Sequence, residues 1–290
     1  YNAGEAVTTG TGNILIGGLA GDDLTTGGYN IALGYRALGA EDAHGRNVAI
    51  GYEALAVQDA GANAYNVAMG YQAGTAVTTG TFNTLIGGSA GDALTTGTSN
   101  VAIGYAALSA EDAHGKNVAI GNSALNALDA GADAYNTAVG FWAGLSLSTG
   151  INNTLVGAQA GDALTTGSEN IALGFNALSS EDTGARNVAI GSGALQALNY
   201  DGNGYNVAVG YEAGKALTNA ARNILIGGFA GDALTSGSDN IAIGYQALTT
   251  ENAHGKNIAI GKDALLALDA GADAYNIAIG HEAGKAMTTG

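Results

Sequence analysis

The chain has 290 residues, a formal net charge of −16 and 49 glycines, but neither proline nor cysteine. This acidic balance argues against nucleic acid or anionic lipid as a partner, since both require basic surfaces. The absence of cysteine excludes disulfides and thiol chemistry, the absence of proline argues against collagen, and no apolar run is long enough to predict a membrane-spanning helix.

One short pattern organises the chain: Asn, a β-branched residue, Ala or Leu, an aliphatic residue and Gly. Its copies are spaced by 17, 17, 19 and 17 residues, so a 70-residue unit of four coils occurs four times. Such short periods over a whole chain are typical of solenoids. We predict one all-β domain over residues 1–290, a parallel β-solenoid (a β-roll) of sixteen coils with two short strands per coil. Residues 1–10 and 281–290 share one phase of the repeat, so we expect a window of a longer repetitive protein.

Within a coil, Asn30 is predicted to lie at the corner before the first strand. Its amide can bond the turn backbone and stack on the equivalent amides of neighbouring coils. The predicted structural asparagine ladder comprises Asn13, Asn30, Asn47, Asn66, Asn83, Asn100, Asn117 and Asn136 and their later equivalents.

The strand after Asn30 alternates between its two faces. We expect Ile31 and Leu33 to point inward and Ala32 outward. The outward row would then form an apolar stripe for self-association, since such stripes usually mark interfaces. The predicted stripe is Ala32, Ala49, Ala68, Leu85, Ala102 and Ala119. In the alternative orientation Ala faces a thin core and the Ile and Val side chains form the stripe.

An aromatic-x-Ala-Leu segment follows the strand, as in residues 35–38. It predicts a second short strand or a bend that places its leucine in the core. The leucines concerned are Leu38, Leu55, Leu108, Leu125 and their equivalents.

The polar turns contain the residues that could bind a metal. In the 19-residue coil, acidic residues on a glycine-containing loop suggest calcium ligands, although the same residue types are common in ordinary turns. The calcium candidates are Asp129, Asp133, Asp269 and Asp273, and we predict no other cofactor.

The histidines and threonines of the turns have simpler interpretations. His44, His114 and His254 occupy one position in three units and are expected to lie in a solvated turn. Glu111 and His114 could form a local pair. No credible Ser-His-Asp set is present, so we predict that the protein is not an enzyme. The Thr-Thr-Gly corners raise an ice-binding hypothesis, but their threonines do not form an uninterrupted ladder.

The phrases at 47–55 (NVAIGYEAL) and 240–248 (NIAIGYQAL) resemble two known groups of repeats. One is the β-roll head of trimeric autotransporter adhesins, and the other is a set of bacterial and phage fibre proteins with NTAIGYxAL repeats. The resemblance implies a left-handed parallel β-roll and a homotrimer at a cell or virion surface. The present coil is longer than the autotransporter repeat and lacks the serine that normally follows its asparagine.

These observations favour a non-catalytic, extracellular structural or adhesive fibre or filament segment. Its expected partner is itself, as a homotrimer or end-to-end filament, with a surface receptor or glycan as a further partner. We expect neither nucleic-acid binding nor membrane insertion by this segment. The competing hypothesis is a ligand-binding solenoid, either ice-binding or calcium-stabilised and carbohydrate-binding.

Overall fold

The computed structural model describes residues 1–289, which contain sixteen three-residue strands and no helix. The strands are parallel, and their order in the sheet is their order in the chain. The predicted all-β parallel solenoid of sixteen coils is therefore confirmed. The chain divides into two compact units, Tyr1–Trp142 and the residues from Ala143 onward.

In the first unit each strand pairs in register with the next, so that equivalent residues of successive coils lie side by side. The strands are β1 (Ile14–Ile16), β2 (Ile31–Leu33), β3 (Val48–Ile50), β4 (Val67–Met69), β5 (Thr84–Ile86), β6 (Val101–Ile103), β7 (Val118–Ile120) and β8 (Thr137–Val139).

The second unit is built in the same way, again with every strand in register with its neighbour. Its strands are β9 (Thr154–Val156), β10 (Ile171–Leu173), β11 (Val188–Ile190), β12 (Val207–Val209), β13 (Ile224–Ile226), β14 (Ile241–Ile243), β15 (Ile258–Ile260) and β16 (Ile277–Ile279).

The strands face the opposite way from the predicted orientation. The middle residue points into the coil and the two flanking residues point outward, as in β2, where Ala32 is fully buried and Leu33 is 40% exposed. A three-residue strand turns one side chain to one face and two to the other. Only the single small side chain fits opposite the leucine on the far wall of this narrow coil. The predicted outward stripe is therefore core, since Ala32, Ala49, Ala68, Leu85, Ala102 and Ala119 are all inaccessible to solvent.

The core is filled by pairing large with small residues, as close-packed interiors require. Where the strand contributes alanine, as in β2 and β3, the far wall contributes a buried leucine at Leu38 or Leu55. Where the strand contributes Leu85, glycines take the far wall. A Cβ atom would lie 2.6 Å from the Leu85 side chain at Gly74 and 2.8 Å from it at Gly91. The leucine of every fourth strand thus occupies space that glycines leave open.

The segment after each strand is a turn, so of the two predicted alternatives the bend is confirmed, and the interpretation of two strands per coil is wrong. In residues 34–38 the backbone alternates into the left-handed region, with φ of 51° at Arg36 and 52° at Leu38. Such alternation reverses the chain within a few residues, which an extended strand cannot do. Leu38 and its equivalents are nevertheless buried, as expected.

The glycine that ends each strand is required because neighbouring coils approach closely there. At Gly104 the φ angle is 137°, and an added Cβ would lie 2.3 Å from the carbonyl oxygen of Gly121 in the next coil. Both the dihedral angle and the contact exclude a side chain at this position.

Candidate functional site

The corner asparagines form a hydrogen-bonded ladder inside each unit. The backbone N–H of each asparagine donates to Oδ1 of the asparagine one coil earlier, at 2.8–3.2 Å. Side-chain Nδ2 atoms bond corner carbonyls, as when Asn83 Nδ2 donates to Gly97 O at 2.8 Å. The asparagines are buried in every coil except the first and the last. Nδ2 of Asn47 and of Asn276 has no hydrogen-bond partner, but the contacts of the ladder given above lie within the chain, as the predicted structural role requires.

The outer face of the sheet is a continuous apolar surface in each unit. Its side chains are those that flank the buried middle residue of each strand, and all are aliphatic or methionine except Thr84, Thr137 and Thr154. Several are well exposed, including Met69 at 39% and Ile226 at 37%. No strand residue is charged. We call this surface the outer sheet face.

Exposed aromatic rings border the outer sheet face on both sides. Just after the strands, Tyr35, Tyr52 and Tyr71 stack in sequence, with ring centroids 5.5 and 5.4 Å apart. Just before the strands, Tyr65 stacks on Phe82 at 5.5 Å. Aromatic rings add contact area and preferred stacking geometry to an interface, so they widen the apolar surface that each unit presents.

The threonines of the Thr-Thr-Gly corners are engaged within the chain. The Oγ1 atoms of Thr25 and Thr95 donate to the carbonyl oxygens of Asp42 and Asp112 in the next coil, at 3.0 and 2.9 Å. These hydroxyls tie coil to coil, which accounts for their recurrence in the sequence.

The two aspartates of each calcium-candidate loop have different neighbours. Asp133 and Asp273 bind the ammonium groups of Lys116 and Lys256 in the preceding coil, the latter at 2.6 Å. The hydrogen bond from Lys116 lowers the pKa of Asp133. Asp129 and Asp269 instead approach a glutamate and a histidine of the preceding coil.

The turn that contains the histidines is the most unusual polar feature of the chain. Glu111 has a fully buried side chain, and its Oε1 accepts the His114 backbone N–H at 3.1 Å. His114 Nδ1 lies 3.5 Å from the same oxygen. Burial raises the pKa of Glu111 more than this backbone hydrogen bond lowers it. The sequence predicted a solvated turn, but the glutamate of this turn is buried. The predicted pair of Glu111 and His114 is present.

This arrangement occurs three times, and we call the three copies the Glu–His turns. In each copy the donor atoms of Glu, His and the Asp of the following coil lie within 4.8 Å of one another. Two copies include a further aspartate beside the glutamate. The groups are Glu41, Asp42, His44 and Asp59; Glu111, Asp112, His114 and Asp129; and Glu251, His254 and Asp269.

The third of the four 70-residue repeats has no histidine in this turn. Gly184 stands where the other units have histidine, and Asn199 replaces the aspartate of the following coil. Glu181 is still buried, but backbone N–H groups satisfy both of its oxygens, from Gly184 at 2.8 Å and from Tyr200 at 3.2 Å. The glutamate is therefore buried in this turn whether or not the histidine is present.

Comparison with known proteins identifies no relative, because no family model, curated protein or solved structure matches the chain. Residues 1–289 show no ligand-sized cavity. Nor do they include a helix with the length and apolarity needed to cross a bilayer. The candidate sites of this molecule are therefore surface features: the outer sheet face and the Glu–His turns.

Sequence reasoning missed the burial of the turn glutamate and the approach of the next aspartate. A glutamate in a polar turn is usually exposed, and Glu111 and Asp129 are 18 residues apart. One signal was available, because this glutamate is identical in all four units while its neighbours vary. Its equivalents are Glu41, Glu111, Glu181 and Glu251.

Proposed function

We propose that the chain is a non-catalytic structural or adhesive segment of an extracellular fibre, and that copies of it associate through the outer sheet face. The observation that carries this proposal is the exposed, uncharged and almost wholly apolar outer face of the sheet. Contiguous apolar surface of this kind on a protein usually marks an interaction site.

The partner that best fits this surface is a second copy of the chain. Strands repeat every 4.7–4.9 Å or so, and sheets that pack face to face stand about 10 Å apart. Two outer sheet faces therefore carry side-chain rows of the same spacing and can interdigitate along their length. The net charge of −16 lies outside the strands, so like-charge repulsion is smallest where the copies would meet.

The polar chemistry of the chain supports a scaffold role. Carboxylates such as Asp133 and hydroxyls such as that of Thr25 bond residues of neighbouring coils, as groups that hold a scaffold together do. The resemblance of the NVAIG phrases to trimeric autotransporter heads and to phage fibre repeats supports a homotrimer at a cell or virion surface. Display of the short turns to a receptor or glycan is part of the same proposal.

The test is the mass of the purified chain in solution, measured by light scattering. A mass near three times 28.3 kDa is the result expected from the repeat resemblance. A mass near twice 28.3 kDa would indicate a dimer in which two outer sheet faces meet, and very large species would indicate a filament. A monomer over a wide concentration range would overturn self-association and favour the ligand-binding solenoid, whether ice-binding or carbohydrate-binding.

A matched pair of variants locates the interface. Ile103→Glu places a charge on the outer sheet face and is expected to shift the assembly to monomer. Ala132→Glu adds the same charge at an exposed turn residue and is expected to leave the mass unchanged. Equal behaviour of the two variants would refute the assignment of the interface to this face.

A further inference from the structure

We propose that the Glu–His turns at 41–44 and 111–114, each completed by the aspartate of the following coil, bind one zinc ion apiece. This proposal does not depend on self-association. The copy at 251–254 is expected to bind more weakly, because Asn252 replaces the aspartate beside the glutamate.

The distances between donor atoms suit a small divalent metal. Ligands about 2.0–2.2 Å from a tetrahedral Zn²⁺ lie roughly 3.4 Å from one another. Glu111 Oε1 and His114 Nδ1 are 3.5 Å apart, and the equivalent atoms of Glu41 and His44 are 3.8 Å apart. The aspartate of the following coil offers an oxygen within 4.8 Å of both, so small rotations of exposed side chains complete the set.

Buried polar atoms without a hydrogen-bond partner distinguish these two turns. Glu41 and Glu111 have fully buried side chains, and the Oε2 atom of each has no hydrogen-bond partner. The Nδ1 atoms of His44 and His114 are likewise buried without a partner. An unpaired buried carboxylate oxygen is costly, and a cation bound by the glutamate carboxylate and the imidazole would offset that cost.

Comparison of the four 70-residue repeats shows where the unpaired glutamate oxygen occurs. In the 70-residue repeat that contains Gly184, backbone N–H groups pair with both oxygens of Glu181, as described above. At 251–254 both oxygens of Glu251 also find donors, including Ala270 N at 3.3 Å. The unpaired oxygen thus occurs at the two turns that contain both a histidine and a second aspartate. The contrast is clearest at Glu41, since the Ala130 backbone N–H is near enough to Glu111 to lower the pKa of its carboxyl group.

The mixed donor set selects the type of metal. Imidazole nitrogen suits Zn²⁺ and its neighbours in the transition series, whereas Ca²⁺ prefers a shell of six to eight oxygens. One imidazole and up to three carboxylates therefore favour zinc over calcium. The carboxylates of the turn are negatively charged, and this charge attracts the cation.

The test uses the full chain without an affinity tag, stripped of metal with a chelator. Equilibrium dialysis against ZnCl₂, followed by metal analysis, counts bound zinc, and isothermal titration measures affinity. Two tightly bound zinc ions per chain are expected. His114→Gln should remove one, and His44→Gln with His114→Gln should remove both. No bound zinc, or two ions retained by the double variant, would overturn the proposal.

Matched controls separate specific binding from the general acidity of the chain. His281→Gln removes the exposed histidine outside the Glu–His turns, and Glu181→Gln alters the buried glutamate of the histidine-free turn. Both should retain two zinc ions, and loss of zinc from either would contradict the assignment. A large excess of CaCl₂ should not displace zinc; displacement would refute zinc selectivity.

Spectroscopy distinguishes the loss of a metal ligand from the misfolding of a variant. Circular dichroism in chelator should show that the glutamine variants retain the wild-type spectrum, as the folded histidine-free turn suggests. Co²⁺ bound to the wild-type chain should give visible d–d absorption from nitrogen and oxygen ligands. Absence of these bands from wild-type protein saturated with Co²⁺ would count against the site, whatever the variants do.

Discussion

The asparagine ladder allows a quantitative test at Asn83. Its side chain is fully buried and makes two hydrogen bonds that alanine cannot replace. Oδ1 accepts the backbone N–H of Asn100 at 2.9 Å, and Nδ2 donates to Gly97 O at 2.8 Å. Asn83→Ala therefore leaves a donor and an acceptor of the backbone without these partners, inside a corner with little room for water.

The expected cost follows from these two groups. A buried polar group that loses its partner costs roughly 1–3 kcal/mol, so with two such groups the variant should lose about 2–6 kcal/mol of unfolding free energy. The entropy of unfolding near 60 °C is about 2.1 cal/mol/K per residue, or roughly 0.6 kcal/mol/K for a chain of this length. A loss of about 3 kcal/mol then corresponds to a melting temperature about 5 °C lower.

Two measurements check this expectation. Circular dichroism melting gives the temperature shift, with Asn122→Ala, at an exposed asparagine, as the control expected to change little. Hydrogen exchange should show faster exchange at the amide of Asn100, which loses its acceptor. If Asn83→Ala melts within a degree of the control and Asn100 keeps its protection, the ladder does not stabilise the solenoid as argued.

Three further changes test other parts of the argument. Gly104→Ala, with φ of 137° and a backbone oxygen 2.3 Å from the new Cβ, should lower stability by roughly 3 kcal/mol or more, measured by thermal melting. Gly131→Ala has open space at φ of 68° and should cost only about 1–2 kcal/mol; similar losses would refute the crowding argument. Burial raises the pKa of Glu111 above its ordinary 4.5, so the stability it contributes is present below pH 4.5 and lost as the pH rises through the folded-state pKa. In chelator, Glu111→Gln should therefore gain melting temperature relative to wild type from pH 4 to pH 8, and a constant difference would contradict this. The lysine partner lowers the pKa of Asp133, so its contribution is present above the ordinary pKa of 3.8 and lost on acidification; Asp133→Asn should lower the melting temperature slightly at pH 7 in low salt but not at pH 3, and an equal effect at both would refute the ion pair.

The spacing of the repeat was sufficient to predict the solenoid, the number of coils and the buried leucines. It did not determine which strand face is inside, because both faces of a strand such as Val48–Ile50 are apolar. The deciding signal was a swap of large and small residues: Leu85 replaces the usual strand alanine where glycines at 74 and 91 replace larger residues on the far wall. A large residue in the strand that accompanies small residues on the far wall shows that both line one interior.

The Glu–His turns illustrate a different limit. The burial of Glu111 depends on how the following 19-residue coil folds over it, and its contact with Asp129 joins residues of two coils. Exposed and buried carboxylates occur in turns of the same composition, so composition alone does not distinguish them. The position of such a side chain follows from packing between coils, which a single coil does not contain.

The in-register pairing has a consequence for how such a chain can change over generations. Each asparagine bonds its counterpart 17 or 19 residues away, and the spacings recur after every 70 residues. Loss or duplication of one whole 70-residue repeat would therefore keep the strands and the asparagine ladder in register at the new junction. Unequal recombination within the gene can then alter the number of coils in steps of four without any compensating mutation, and natural variants are expected to differ by whole units.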